Sequence, residues 1–145
     1  MIYKLDAGGI AQNWGIIKYA AVTVKNIVPK ENISRYCRNL LKNLLTSKYQ
    51  CWFILSEKKE VKTVLITKIY NDIGDEMHLM MDVAYGFTPM TDSDREEIRN
   101  AILQFSRSVG CNTILAYVDN QMAGNALAKG GMTETFRVYS MQVGG

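Results

Sequence analysis

The chain has 145 residues, 48% of them hydrophobic and 21% charged, the size and balance of a single domain over residues 1–145 and not of two domains or a disordered tail. Its best apolar run, Gly15 to Val24, is short and carries Lys18, which excludes a membrane span of roughly 18 residues and predicts no membrane insertion. The net charge of +3 is divided unevenly: residues 25–62 hold nine Lys/Arg against three Asp/Glu, and residues 71–99 hold eight Asp/Glu against two Arg, a polarity able to orient a partner.

In chain order, a strand is predicted around Ile2 to Leu5, then a short helix from the spacing of Trp14, Ile17, Ala21 and Val24. Pro29 to Ser47 is the strongest periodic segment. Ile33, Tyr36, Cys37, Leu40, Leu41, Leu44 and Leu45 recur at three and four residues and give one wide apolar helix face. Opposite it stand Lys30, Arg35, Arg38, Lys42 and Lys48. From Gln50 the pattern changes to β-branched and aromatic runs, Cys51 to Leu55, Val61 to Tyr70 and Glu76 to Tyr85. Short polar turns separate them, as in an antiparallel meander. Ser93 and Glu96 have capping-box spacing at the start of a helix whose apolar face is Ile98, Ala101, Ile102 and Phe105, and Gly110 ends it. Thr113 to Val118 reads as a strand, Gln121 to Lys129 as a short helix stopped by Gly130 and Gly131, and Thr133 to Val143 as a final strand. The predicted class is mixed α/β (α+β), with a mostly antiparallel central sheet flanked by helices.

Cys37, Cys51 and Cys111 are widely spaced and odd in number, so they fit buried thiols in a reducing, cytoplasmic compartment better than a disulfide framework or a zinc site. One histidine, His78, leaves too few imidazoles for His-based metal centres or nucleophile pairs, and no metal is expected. The motifs GxSxG, HExxH and GxxxxGK[ST] are absent. On the strand from Glu76, the two-residue period puts His78, Met80 and Asp82 on one face and Met77, Leu79, Met81 and Val83 on the other. Asp82 thus shares a face with His78, and the ordinary reading of such a residue is a solvated or hydrogen-bonded strand-end carboxylate.

The element order resembles the GNAT family of N-acetyltransferases. The resemblance is sharpest from Asn120 to Met132, where Asn120, Ala123, Lys129 and Gly131 stand at the family's offsets and Met132 replaces the usual Phe. It implies an acetyl-CoA site in the loop and helix start after the fourth strand, where backbone amides and the helix dipole hold a pyrophosphate. The cofactor-binding candidates it implies are Gly86, Thr91, Ser93 and Asn120. The stretch from Tyr85 to Asp94 departs from the Gly-rich pattern, since Gly86 comes early, Pro89 lacks an N–H, and Asp92 and Asp94 bring negative charge to the helix start. Leu127 stands where many members have the Tyr that protonates the leaving thiolate. Tyr117 and Tyr139 are nearby substitutes, and because the family often uses a carboxylate on the central strands as general base, the resemblance implies Asp82, with His78 as neighbour, for that role; these three, Asp82, Tyr117 and Tyr139, are the catalytic candidates of an active member.

Two functions follow from the resemblance. The acidic loop and Leu127 favour a degenerate GNAT-fold protein without cofactor, acting as a binding or assembly module. A helix entered through Thr/Ser/Asp, followed by an Asn-to-Gly motif, also resembles GNAT-like phage proteins, including small virion proteins, which implies a virion component. The alternative is an acetyl-CoA-dependent N-acetyltransferase acting on an unidentified amine. A protein partner or second copy would meet the basic helix at Lys30, Arg35, Arg38 and Lys42. Nucleic acid is not expected, because net charge is low and no aromatics interleave with the basic residues.

Overall fold

The computed structural model describes residues 1–27, 29–118, 121–135 and 137–144. Five strands form one sheet in the order β1 to β5: β1 (Ile2–Lys4), β2 (Tyr49–Leu55), β3 (Val61–Asn71), β4 (Met77–Gly86) and β5 (Thr113–Ala116). The first four are antiparallel neighbours, and β5 lies parallel to β4. A parallel neighbour needs a crossover. Helix α4 (Asp92–Val109) supplies it.

Period-two alternation gives the sheet two apolar faces. Cys51, Phe53, Val64, Ile66 and Val83 pack with Ile10, Ile17, Ala20, Ala21, Leu40 and Leu44 from helices α1 (Ala7–Gln12), α2 (Trp14–Lys25) and α3 (Ile33–Leu45). On the other face, Trp52, Leu65 and Leu79 pack with Ile102, with Ile98, Ala101 and Phe105 of α4 around them. Burying each such aliphatic side chain stabilises the fold by about 1.5–3 kcal/mol. Three polar side chains inside the sheet form a bonded chain: Trp52 Nε1 donates to Thr67 Oγ1 (3.0 Å), and Thr67 Oγ1 donates to Gln50 Oε1 (2.8 Å).

The helix ends have identifiable causes. Asp6 accepts from the Gly9 amide at the start of α1, a six-residue helix that periodicity does not announce because Gly8 and Gly9 are weak helix formers. Asn26 stops α2 in the left-handed region (φ 46°), and Gly110 does so for α4 (φ 80°). The predicted helix from Pro29 begins as a 3₁₀ turn over Lys30–Asn32, and α3 proper runs from Ile33. Its basic residues Lys30, Arg35, Arg38 and Lys42 are exposed. After β5, helix α5 (Gln121–Lys129) closes with Gly131 at φ 95° and the Met132 amide donating to the Leu127 carbonyl.

The final strand expected over Thr133 to Val143 does not form among the described residues, which carry no strand from 132 to 144. Alternation signals a strand where one face meets a core and a ladder. Here Val138, Tyr139, Met141 and Val143 are all exposed. No helix among the described residues is long and apolar enough to cross a membrane.

Candidate functional site

The β4–β5 ladder is short. It pairs His78 with Thr113 through Met81 with Ala116 and stops, whereas β4 runs on to Gly86, paired only with β3 over its last four residues. Among the described residues, the backbone edge of β4 that faces β5 is therefore open from Asp82 onward. The opening coincides with a bulge: Ile66 pairs with Val83 and Thr67 with Met81, so Asp82 is the extra residue. A bulge bends its strand and re-aims a side chain. This corrects the face assignment from strict alternation, because Val83 packs on the α1–α3 side while Leu79 and Met81 face α4.

Asp82 also points toward the α2 side, and its side chain is only 8% exposed. Lys25 Nζ at the end of α2 donates to Asp82 Oδ1 at 2.6 Å, and Lys68 Nζ on β3 stands 3.9 Å from the same oxygen. Lys68 also lies over the Tyr49 ring, 5.7 Å from its centroid. The Tyr36 hydroxyl is buried without a hydrogen-bond partner. Burial pushes that phenol up, and the nearby Asp82 charge adds to the shift. Neither lysine nor Tyr36 is singled out by sequence spacing, since Tyr36 falls inside an apolar stripe and Lys25 ends a helix far away in the chain.

At the other end of β4, Gly86 is required by a close approach, as a Cβ there would meet the Thr88 carbonyl at 2.9 Å. The capping box of α4 is Thr91 with Asp94, not Ser93 with Glu96. The Asp94 amide donates to Thr91 Oγ1 and the Thr91 amide to Asp94 Oδ2, both at 3.1 Å. Lys62 Nζ lies 3.0 Å from Asp94. The bond from the Thr91 amide is the main reason the Asp94 carboxyl sits below its ordinary value. Arg95 turns back to Asp92 at 2.7 Å. Both carboxylates expected to repel a phosphate thus have a cation of their own. Amides at Thr91 and Asp94 are consumed by the cap, and the Phe87 amide donates to the Lys62 carbonyl.

The remaining candidates are spread over several elements. Tyr117, just beyond β5, is 54% exposed and Tyr139 is 85% exposed. Asn120 lies outside the described residues. Ser93 and Thr91 are exposed at the start of α4, and Leu127 is half-buried on α5. His78 is engaged at the far end of β4, where its Nε2 lies 2.9 Å from Asp72 Oδ2 and its ring stacks on Tyr70. Donor atoms of Asp72, Glu76 and His78 all lie within 4.8 Å of one another. Asp72 already spends its other oxygen on the Glu76 amide, so this group closes the β3–β4 hairpin.

No protein-family model matches the chain, and no curated protein matches it in sequence. Solved structures do match. A probable acetyltransferase superposes with a TM-score of 0.73 at 10% identity over 100% of this chain and 99% of its own. An aminoglycoside acetyltransferase from an uncultured soil metagenomic sample, in complex with sisomicin, gives 0.73 at 12% identity over 99% and 95%. A predicted acetyltransferase from Clostridium acetobutylicum, with acetyl-CoA, gives 0.73 at 11% identity over 98% and 95%. The chain therefore has a GNAT-like fold along its whole length. These likenesses bear on the fold, and none of them points to a phage or virion role.

Proposed function

We propose that the protein is an acetyl-CoA-dependent N-acetyltransferase. The observation that carries this reading is the coincidence of the open β4 edge with the bulged, buried Asp82. A thioester arm lying along an exposed strand edge is held by backbone groups in the manner of an added strand, and its reactive end arrives where the ladder closes. The activated acetyl group is the chemistry that acetyl-CoA supplies. Asp82, on the α2 side, accepts hydrogen bonds from an amine and takes its proton as the amine attacks. Amides of β4 beyond Met81 stand ready to donate to the developing oxyanion. Leu127 has no proton to give to the leaving sulfur, and solvent supplies it.

The residues fit the two ends of the donor unequally. The open β4 edge suits the pantetheine arm. The α4 start suits the pyrophosphate less well, because its own cap consumes amides that would otherwise reach an anion. Calorimetry with acetyl-CoA tests the reading: the expected dissociation constant is below about 1 mM, or −4.1 kcal/mol, and an amine panel should release free thiol. Absence of binding up to several millimolar removes the enzyme reading and returns the fold to a binding role.

A further inference from the structure

We infer that Lys25 is itself an acetyl acceptor, so that the protein modifies its own α2 helix; this rests on the acetyltransferase reading above. Among the described residues, Lys25 is the amine closest to Asp82, 2.6 Å away against 3.9 Å for Lys68. Its side chain is held, with 28% exposed, and it approaches from the face of the sheet and not along its edge. An acyl donor on the open β4 edge and an amine on the adjoining face are the two partners of an acyl transfer. An amine tethered in that geometry has an effective concentration far above that of any amine in solution.

The step balances without an added reagent. The Lys25 ammonium loses a proton to the Asp82 carboxylate, the freed Nζ lone pair attacks the thioester carbon, and the C–S bond breaks. The departing thiolate takes a proton from solvent, and the nitrogen loses its second proton as the amide forms. Nε-acetyl-lysine, free thiol and one net proton result. The modification discharges the nearer counter-ion of Asp82 and leaves the carboxylate with Lys68 alone, so an external amine then meets a less occupied base. Lys25 also closes α2, where a cation is favoured by the helix dipole, so acetylation loosens that end slightly.

The test uses the full chain with acetyl-CoA and, in parallel, S-acetylpantetheine, which lacks the nucleotide. Peptide mapping by mass spectrometry follows acetyl incorporation at each lysine. Lys25 is expected to be labelled at least about tenfold faster than the exposed Lys30 and Lys42. Asp82→Asn should bring Lys25 down to their rate. Lys25→Arg, which keeps the ion pair and therefore the fold, should abolish the fast phase. If acetyl-CoA binds by calorimetry and Lys25 is labelled no faster than Lys30 or Lys42, the inference is overturned while the acetyltransferase reading stands. Fast labelling of Lys25 by S-acetylpantetheine without acetyl-CoA binding keeps the inference and removes the nucleotide from the donor. If neither thioester binds nor labels Lys25, both fall.

Discussion

Two lysine–carboxylate pairs sit on β4 and its exit, and they differ in what the carboxylate has left to give. Asp94 is fully engaged: it accepts from the Thr91 amide, belongs to a capping box and meets Lys62. Among the described residues Asp82 meets two lysines and no backbone donor, and it stands where the sheet opens. The charges and the burial are nearly the same, 7% and 8% side-chain exposure. What separates a structural carboxylate from a chemically available one is the share of its lone pairs already spent on the backbone.

The largest effect that should follow is on stability at the spent pair. Asp94→Ala removes a cap, worth about 1 kcal/mol, and strands a partly buried ammonium, for a total of about 2–4 kcal/mol in urea unfolding. Asp82→Asn keeps the shape and a hydrogen-bonding oxygen for Lys25, and should cost about half as much. Equal losses at the two sites would dissolve the distinction.

The same contrast has a pH signature. Asp94 is depressed in the fold, chiefly by the Thr91 amide, so its contribution is present above the ordinary Asp value of about 3.9 and is lost as pH falls through the lower folded value. An Asp94→Asn variant should therefore show a shallower loss of stability below about pH 4 than the unmodified protein, read as melting temperature against pH. An unchanged acid limb would mean that other carboxylates carry it.

How much of this was legible beforehand depended on whether the information was local. The strands β2 to β4, α3 and α5 follow from periodicity and turn residues, and Asp82 emerges as a candidate from the family resemblance. The bulge that turns Asp82 and Val83 to the same side is a register property of β3 against β4, and one strand's pattern cannot contain it. The cap moved from Ser93 to Thr91 because Lys62 on a different strand anchors Asp94, although both pairs share the spacing. The charge division between residues 25–62 and 71–99 likewise does not reveal which charges meet. Lys25 with Asp82 and Lys62 with Asp94 join those stretches inside one molecule, which reduces the imbalance left for a partner.

A smaller effect concerns Tyr36, whose hydroxyl is buried without a partner beside the Asp82 cluster. Tyr36→Phe removes an unsatisfied polar atom and should leave stability unchanged or raise it by up to about 1 kcal/mol. A loss of more than that in chemical denaturation would mean the hydroxyl is bonded in solution, and would bring it into the Asp82 site as a working group.

The smallest effects belong to the basic face of α3, which the buried pairs leave unused. Arg35, Arg38 and Lys42 are exposed, with Arg35 donating to the Asn32 side chain. Surface changes of this kind normally stay within about 0.5 kcal/mol, and here their signs should differ. Arg35 lies in the first turn of α3, where the helix dipole disfavours a cation, so Arg35→Glu should gain about 0.3 kcal/mol or more. Lys42 lies in the last turn, where a cation is favoured, so Lys42→Glu should lose a similar amount. Arg38→Glu places an acid four residues before Lys42, a pair worth about 0.3–0.5 kcal/mol. The triple reversal cancels most of these terms and should melt close to the unmodified protein. That makes it a clean probe of association: sedimentation at low and high salt should differ between the two proteins only if this face meets an acidic partner or another copy, and identical profiles would leave α3 as a solvated surface.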